Sequence, residues 1–215
     1  MGKRLQESLG DYAKKLIKSE EVLNLTLAVL EAADDANAEN PASSSGKYHP
    51  ISDLGPGGNV RHTIIVTEIA QILMDSHQMF DDQRMRDIVT ASCILHDVCK
   101  YDSADTSHTQ FDHPILVANL VKKVGGDLGK TEERVADLVA SNVDTHMGRF
   151  TTSKKAPTVR LREPKDISQW IVHYADIISA NRELPLTIKR LTEEAEEELK
   201  NHSSSSESSS SSSSS

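Results

Sequence analysis

Cysteine is nearly absent from this chain: there are two among 215 residues, Cys93 and Cys99. A disulfide scaffold is thereby excluded, and no CxxC pair exists to found a thiolate zinc site. Both residues are expected to be reduced, buried thiols. Basic residues are in deficit as well, with 24 Lys and Arg against 33 Asp and Glu and a formal charge of −9. A broad nucleic-acid-binding surface must neutralise phosphates over a basic face, so that class is excluded, whereas a small, locally basic site is not. No apolar run reaches the ~18 residues of a membrane-spanning helix. The first residues lead into polar sequence rather than a signal-peptide core, and Gln6 stands where a myristoylation motif needs Ser or Thr. A soluble, cytoplasmic protein with no membrane partner is expected; oligomeric state is left open. Aromatic residues make up only 4% of the chain, and nowhere do Val, Ile and aromatics alternate with the period of two that a sheet requires. The expected fold class is all-α.

What is present is helical periodicity interrupted by turn signals. At this length one core is expected, with an appendage. Apolar residues in 5–35 recur at helical spacing and predict two helices, the second capped by Ser19. Residues 37–58 are rich in Asn, Pro, Ser and Gly, ending in Asp53-Leu54-Gly55-Pro56-Gly57-Gly58, and read as a loop. A wide stripe of Val60, Ile64, Ile65, Ile69, Ile72 and Leu73 predicts a helix over 59–76, with His62 in its first turn. Residues 82–96 repeat the pattern through Met85, Ile88, Val89, Ser92 and Leu95. Pro114 opens a helix that Gly125-Gly126 is expected to stop, and 131–143 forms another. After a basic, Pro-containing loop over 148–164, Asp166 caps a helix over 167–181 with Ile167, Trp170, Ile171, Tyr174 and Ile178 on its core face. Trp170 and Tyr174 are read as core rather than as a base-stacking platform. A charged helix over 189–202 and a disordered Ser-rich tail over 203–215 complete the chain, since serine buries no apolar surface.

The chemistry concentrates in "ASCILHDVCKY", residues 91–101, where His96, Asp97 and Lys100 follow an apolar run at a helix exit. Of nine histidines, His62, His96, His113 and His146 each lie within a turn of an expected helix end, with Asp97 and Asp176 beside them. Helix ends are where a bundle can bring ligands together. Imidazole and carboxylate suit a divalent transition ion such as Mn, Fe, Co, Ni or Zn. Neighbours such as His96 and Asp97 point roughly 100° apart on a regular helix. They can reach one ion where the backbone leaves helical geometry.

In this order, His62 in "GGNVRHTIIV", His96-Asp97 in "ILHDVCKY" and Asp176 in "VHYADIIS" resemble the signature of the HD-domain metal-dependent phosphohydrolase superfamily, a helical bundle. Among subfamilies the chain looks most like the HD domains of bacterial 3′→5′ exoribonucleases and the HD-GYP-like phosphodiesterases. Tyr48-His49-Pro50 and Gly57-Gly58 are similar to the lead-in of the former. The resemblance covers about 47–182 and implies a domain over 47–188, preceded by N-terminal helices and a linker over 1–46. It implies that His62, His96, Asp97 and Asp176 hold one ion and that His113 and His146 hold a second, with Asp97 bridging. Asp97 and Lys100 would then be the catalytic residues, Lys100 as the lysine of the family's HDxxK pattern. The GYP motif is absent, which counts against cyclic di-GMP, and Thr145-His146-Met147-Gly148 departs from the usual second-histidine pattern.

The implied function is hydrolysis of a phosphoester in a nucleotide or short oligonucleotide by a metal-activated water. Two alternatives stand beside it: a non-catalytic, metal- and nucleotide-binding regulatory module, and a nucleoside mono- or triphosphate hydrolase. Lys100 either meets a phosphate oxygen or complements a helix C-terminus. Arg149, Lys154, Lys155, Arg160 and Arg162 form either a phosphate-attracting lid or a solvated connection. His49, His108 and His173 serve either behind the ligands or in surface and packing roles, and His77 and His202 face solvent.

Overall fold

A computed structural model describes residues 2–44, 46, 49–102 and 107–181. The expected helix over 189–202 and the serine tail lie outside these residues, as do Tyr48 and His202. Among the described residues the elements are all helical: α1 (Gly2–Leu16), α2 (Glu20–Ala32), α3 (Asp35–Glu39), α4 (Gly58–Asp75), α5 (Gln83–Leu95), α6 (His113–Leu128), α7 (Lys130–Val143) and α8 (Ile167–Ser179). No strand forms among them, and none of these helices is long and apolar enough to cross a membrane.

Helix α5 organises the bundle. Every residue from Asp87 to Leu95 is buried, so the helix faces protein on all sides. Ile88, Ala91, Ile94 and Leu95 join a large apolar cluster with α1, α2, α6 and α7, while Val89 and Cys93 join a second with α4 and α8. Its buried polar groups are paired: Ser92 Oγ donates to Ile88 O and accepts from Asn142 Nδ2, and Thr90 accepts from Gln71. Leu9, Ala13, Val22, Leu25 and Ala38 of the first three helices, with Ile17 just past α1, share the larger cluster with Val60 of α4 and Val117 of α6.

Four details depart from the sequence reading. Ser19 occupies the N-cap of α2, yet its side chain makes no capping bond; Asp87 Oδ2 instead accepts from Lys18 N at 3.0 Å and Ser19 N at 2.6 Å, so a buried acid on α5 caps α2 from outside. Within 37–58, α3 and a 3-10 turn (Ile51–Asp53) replace featureless loop, and Gly57 N and Asn59 N donate to Glu39 O and Asn40 O. Gly125-Gly126 does not stop α6, which runs on to Leu128. A Cβ on Gly125 would lie 2.3 Å from Ala136 Cβ, so the missing side chain permits the close crossing of α6 on α7, and Gly129 at φ 141° makes the turn between them.

The fourth is the phase of α8. Ile171, Val172 and Ala175 are buried, together with Ser168, Gln169, His173 and Ser179, whereas Tyr174 is 47% exposed and Ile167 and Ile177 face outward. Trp170 is half-buried and stacks on Tyr174 at the surface with ring centroids 5.3 Å apart. Apolarity alone misplaced the stripe because this helix turns polar residues inward. Likewise Ile72 of α4 is 54% exposed, and Cys99 is half-buried where full burial was expected.

Candidate metal centre

The centre is assembled by helix ends, as their local chemistry dictates. His96 follows α5 at its C-cap, where Val98 N and Lys100 N bond back to Leu95 O and Asp97 O and the chain turns away. Asn59 Nδ2 holds Asp97 O at 3.2 Å, and Asn37 pairs with both main-chain groups of Tyr101, accepting from its N at 2.7 Å and donating to its O at 3.3 Å. The turn carrying Asp97 and Lys100 is thus clamped from α3 and α4. His62 projects from the first turns of α4, His113 opens α6, His146 lies just past α7 and Asp176 sits on α8.

All six expected metal ligands converge, in two groups. His62 Nε2 lies 3.4 Å from His96 Nε2, 3.1 Å from Asp176 Oδ1 and 3.7 Å from Asp97 Oδ2, with His96 Nε2 3.3 Å from Asp97 Oδ2. On the other side of the same carboxylate, His113 Nε2 is 3.0 Å from His146 Nε2 and 3.2 Å from Asp97 Oδ1, and His146 Nε2 is 3.8 Å from that oxygen. Donors each about 2.1 Å from a shared ion stand roughly 3.0 to 3.5 Å apart, depending on geometry. Both groups fall in or near that range, and Asp97 presents one oxygen to each.

The ring orientations say which atoms are donors. His96 Nδ1, His113 Nδ1 and His146 Nδ1 lie 2.7, 2.6 and 2.7 Å from the main-chain carbonyls of Cys93, Gln110 and Val143, each three residues back. A carbonyl only accepts, so each Nδ1 carries the hydrogen and each neutral ring turns a bare Nε2 inward. His62 Nδ1 meets Ser179 Oγ at 3.0 Å. Bare nitrogens facing one another cannot hydrogen-bond, and buried Asp97 Oδ1 has no hydrogen-bond donor. A divalent cation satisfies the facing nitrogens and carboxylate oxygen of such a group at once, so the donor set fits a metal.

Electrostatics follow from depth. Burial pushes the His62 imidazole down to about 4 and that of His146 to about 3. For His96 the same desolvation is outweighed by Asp97 and Asp176, which raise it; this is the ring of the group that holds a proton most readily. Asp97 and Asp176 are held well below the usual carboxylate range. In both, burial opposes the shift, but His96 and Lys100 outweigh it at Asp97, and His62 and His96 at Asp176. Lys100 Nζ is paired with Asp97 Oδ2. The centre is open chiefly at Asp176, whose side chain is 20% exposed.

The remaining sequence candidates fall around it. His173 is buried and its Nδ1 donates to His146 O at 2.8 Å; a Cβ on Gly148, at φ 60°, would lie 2.2 Å from its ring. The glycine after Met147 therefore lets the His146 turn seat on α8. His49 packs edge-on to His62 at 4.7 Å. His77 caps a 3-10 turn through Met79 N, and His108 is exposed beside Ser107. Arg149, Lys154, Lys155 and Arg160 are exposed, while Arg162 bonds Asp144 at 3.1 Å. Sequence reasoning missed Asp53, Asn37, Asn59 and Ser179. The Gly57-Gly58 pair was a signal for the first, since a Cβ on Gly58 would lie 1.9 Å from Asp53 O; the others left no pattern.

Among the described residues, then, an all-helical bundle carries His/Asp clusters able to hold metal ions, two of them facing the two oxygens of Asp97. Residues 59–181, more than half of the chain, match the profile of the HD domain family, and the chain belongs to that family, whose members are mostly metal-dependent hydrolases. No curated protein and no solved structure matches it.

Proposed function

We propose that this chain is a metal-dependent phosphohydrolase that cleaves a phosphoester of a nucleotide or short oligonucleotide, using two divalent transition ions. The observation that carries the reading is the sharing of Asp97: its two oxygens face two separate His-rich groups, each able to hold an ion. His62, His96, Asp97 and Asp176 would hold one ion and Asp97, His113 and His146 the other. Bound there, the pair would supply an activated water and neutralise phosphoryl charge. The carbonyl bonds at Nδ1 fix three of the rings so that no reorganisation is needed when substrate arrives. Lys100, a compact charge on a flexible stem, exchanges Asp97 Oδ2 for a non-bridging phosphate oxygen at the open edge. The exposed cations of the loop over 149–160 draw an anionic substrate toward an otherwise acidic protein. The nucleotide character of the substrate draws on the likeness of the lead-in to exoribonuclease-attached HD domains. A cytoplasmic setting is supported by the two cysteines, both free thiols.

The enclosure of the centre favours a second reading, a regulatory module that binds metal and nucleotide without turnover. One experiment separates them. Chelator-stripped protein reloaded with Mn, Co or Ni is assayed on bis-p-nitrophenyl phosphate and a panel of nucleotides and dinucleotides. Metal-dependent product that disappears in Asp97→Asn supports the enzyme, whereas tight nucleotide binding by loaded protein with no product over hours supports the module.

A further inference from the structure

The four imidazoles of the centre are not held alike. Three give Nδ1–H to a carbonyl, an acceptor that leaves no choice of tautomer. His62 instead meets the Ser179 hydroxyl at 3.0 Å; its single hydrogen points either to Asp176 O, 2.8 Å away, leaving the oxygen to accept from Nδ1–H, or to a bare Nδ1, so the contact serves either tautomer. Also near its Nδ1, at 4.0 Å, lies Asp53 Oδ2. Asp53 is 0% exposed; its Oδ1 accepts from Ser52 Oγ at 3.1 Å, and its Oδ2 has no hydrogen-bond partner. His49 Nδ1, equally buried and unpartnered, lies 3.9 Å from the same oxygen.

An unpartnered buried carboxylate oxygen is costly, yet several independent contacts hold this one in place. Asp53 N donates to Pro50 O and Ala42 N to Asp53 O, both at 3.0 Å. Arg61 straps the turn to α4 through Ser52 O at 2.6 Å and Pro56 O at 3.0 Å. Gly57, at φ 71°, and Gly58, whose missing Cβ makes room for Asp53 O, complete the seat. The lead-in from His49 to Gly58 is a device that presents one acid to the rear of His62.

We propose that Asp53, backed by His49, is a positioning residue for His62. An acceptor-only group beside Nδ1 breaks the ambiguity left by the Ser179 hydroxyl, keeps Nε2 bare and raises its basicity toward an ion. Asp53 thereby sets the affinity of the ion held by His62, His96 and Asp176 and leaves the ion at His113 and His146 alone. It stands outside the segment that matches the HD family profile. The assignment rests on the two-metal reading of the centre.

The test is metal binding rather than turnover. Full-length wild type, Asp53→Asn and His49→Gln are stripped and titrated with Co²⁺ against a chromophoric chelator, with circular dichroism as the check on folding. Wild type should take two ions. Asp53→Asn should weaken one of them about 10- to 100-fold and leave the other within twofold. The same loss should recur in a His113→Ala background, where one ion remains. His49→Gln should give a smaller loss in the same direction, and it carries the test should Asp53→Asn not fold. Two ions of unchanged affinity in both variants would overturn the positioning role while the two-metal reading stood. A third ion that is lost in Asp53→Asn would make Asp53 a ligand and overturn it too; wild type that takes no ion would remove both readings.

Discussion

The group formed by His62, His96 and Asp176 draws its donors from α4, the end of α5 and α8, and has a carboxylate of its own besides its share of Asp97. The group formed by Asp97, His113 and His146 has only that shared carboxylate, and its rings are oriented entirely by main-chain carbonyls. A dication is held more tightly by more negative charge at short range. The comparison therefore teaches that the two ions should differ in affinity, with the Asp176 side filling first. The asymmetry is also mechanical: one side is tied to tertiary packing of three helices, the other to the local turns that begin α6 and end α7.

The largest effect should come from the residue common to both sides. Asp97→Ala should reduce hydrolysis by at least about 10³-fold and bring metal content near zero, read by elemental analysis of the purified protein, with the fold retained in circular dichroism. Next come changes confined to one side. His113→Ala or His146→Ala should loosen the ion on their own side and leave the other, whereas His96→Ala or Asp176→Asn should do the reverse; competition titrations distinguish the outcomes.

Proton linkage sharpens the comparison without metal. His62 and His146, held down to about 4 and 3, bind fewer protons folded than unfolded between those values and about 6.5. Their contribution is complete above about 6.5 and is lost as the pH falls toward the folded values. His96, shifted upward, works oppositely: its contribution is present below about 6.5 and is lost as pH rises through its folded value. Two rings outweigh one, so chelator-treated protein should be on the order of 3 kcal/mol less stable at pH 5 than at pH 7 in urea unfolding. The smallest effect lies away from the centre. Gly125→Ala should destabilise by about 1 to 3 kcal/mol through its clash with Ala136, and Ala136→Gly should recover part of the loss in the double variant.

Much of the helical layout was legible because apolar periodicity and helix-end residues are local. His96 and Asp97 stood out as polar residues at the exit of a helix buried all round, and Asp166 caps its helix through Gln169 N as expected, while Asp82 does the same for α5 through Arg84 N. What could not be read depends on which neighbour arrives. Gly125 looks like a stop until Ala136 is placed against it. Tyr174 looks like core until His173 and Asp176 claim the inner face. Asp87 caps a helix 68 residues away in sequence, and Asn37 clamps Tyr101 across 64. Asp53 sat in a stretch whose composition announced only turns.

The central claim is that Asp97 divides its two oxygens between two ions of unequal affinity. Direct determination of bound metal per chain, by native mass spectrometry over a Mn²⁺ or Co²⁺ titration, tests it most closely. The prediction is two successive steps, with a one-ion species accumulating first and His113→Ala removing only the second step. Saturation at a single ion that survives in His113→Ala, or no bound ion at all, would contradict it.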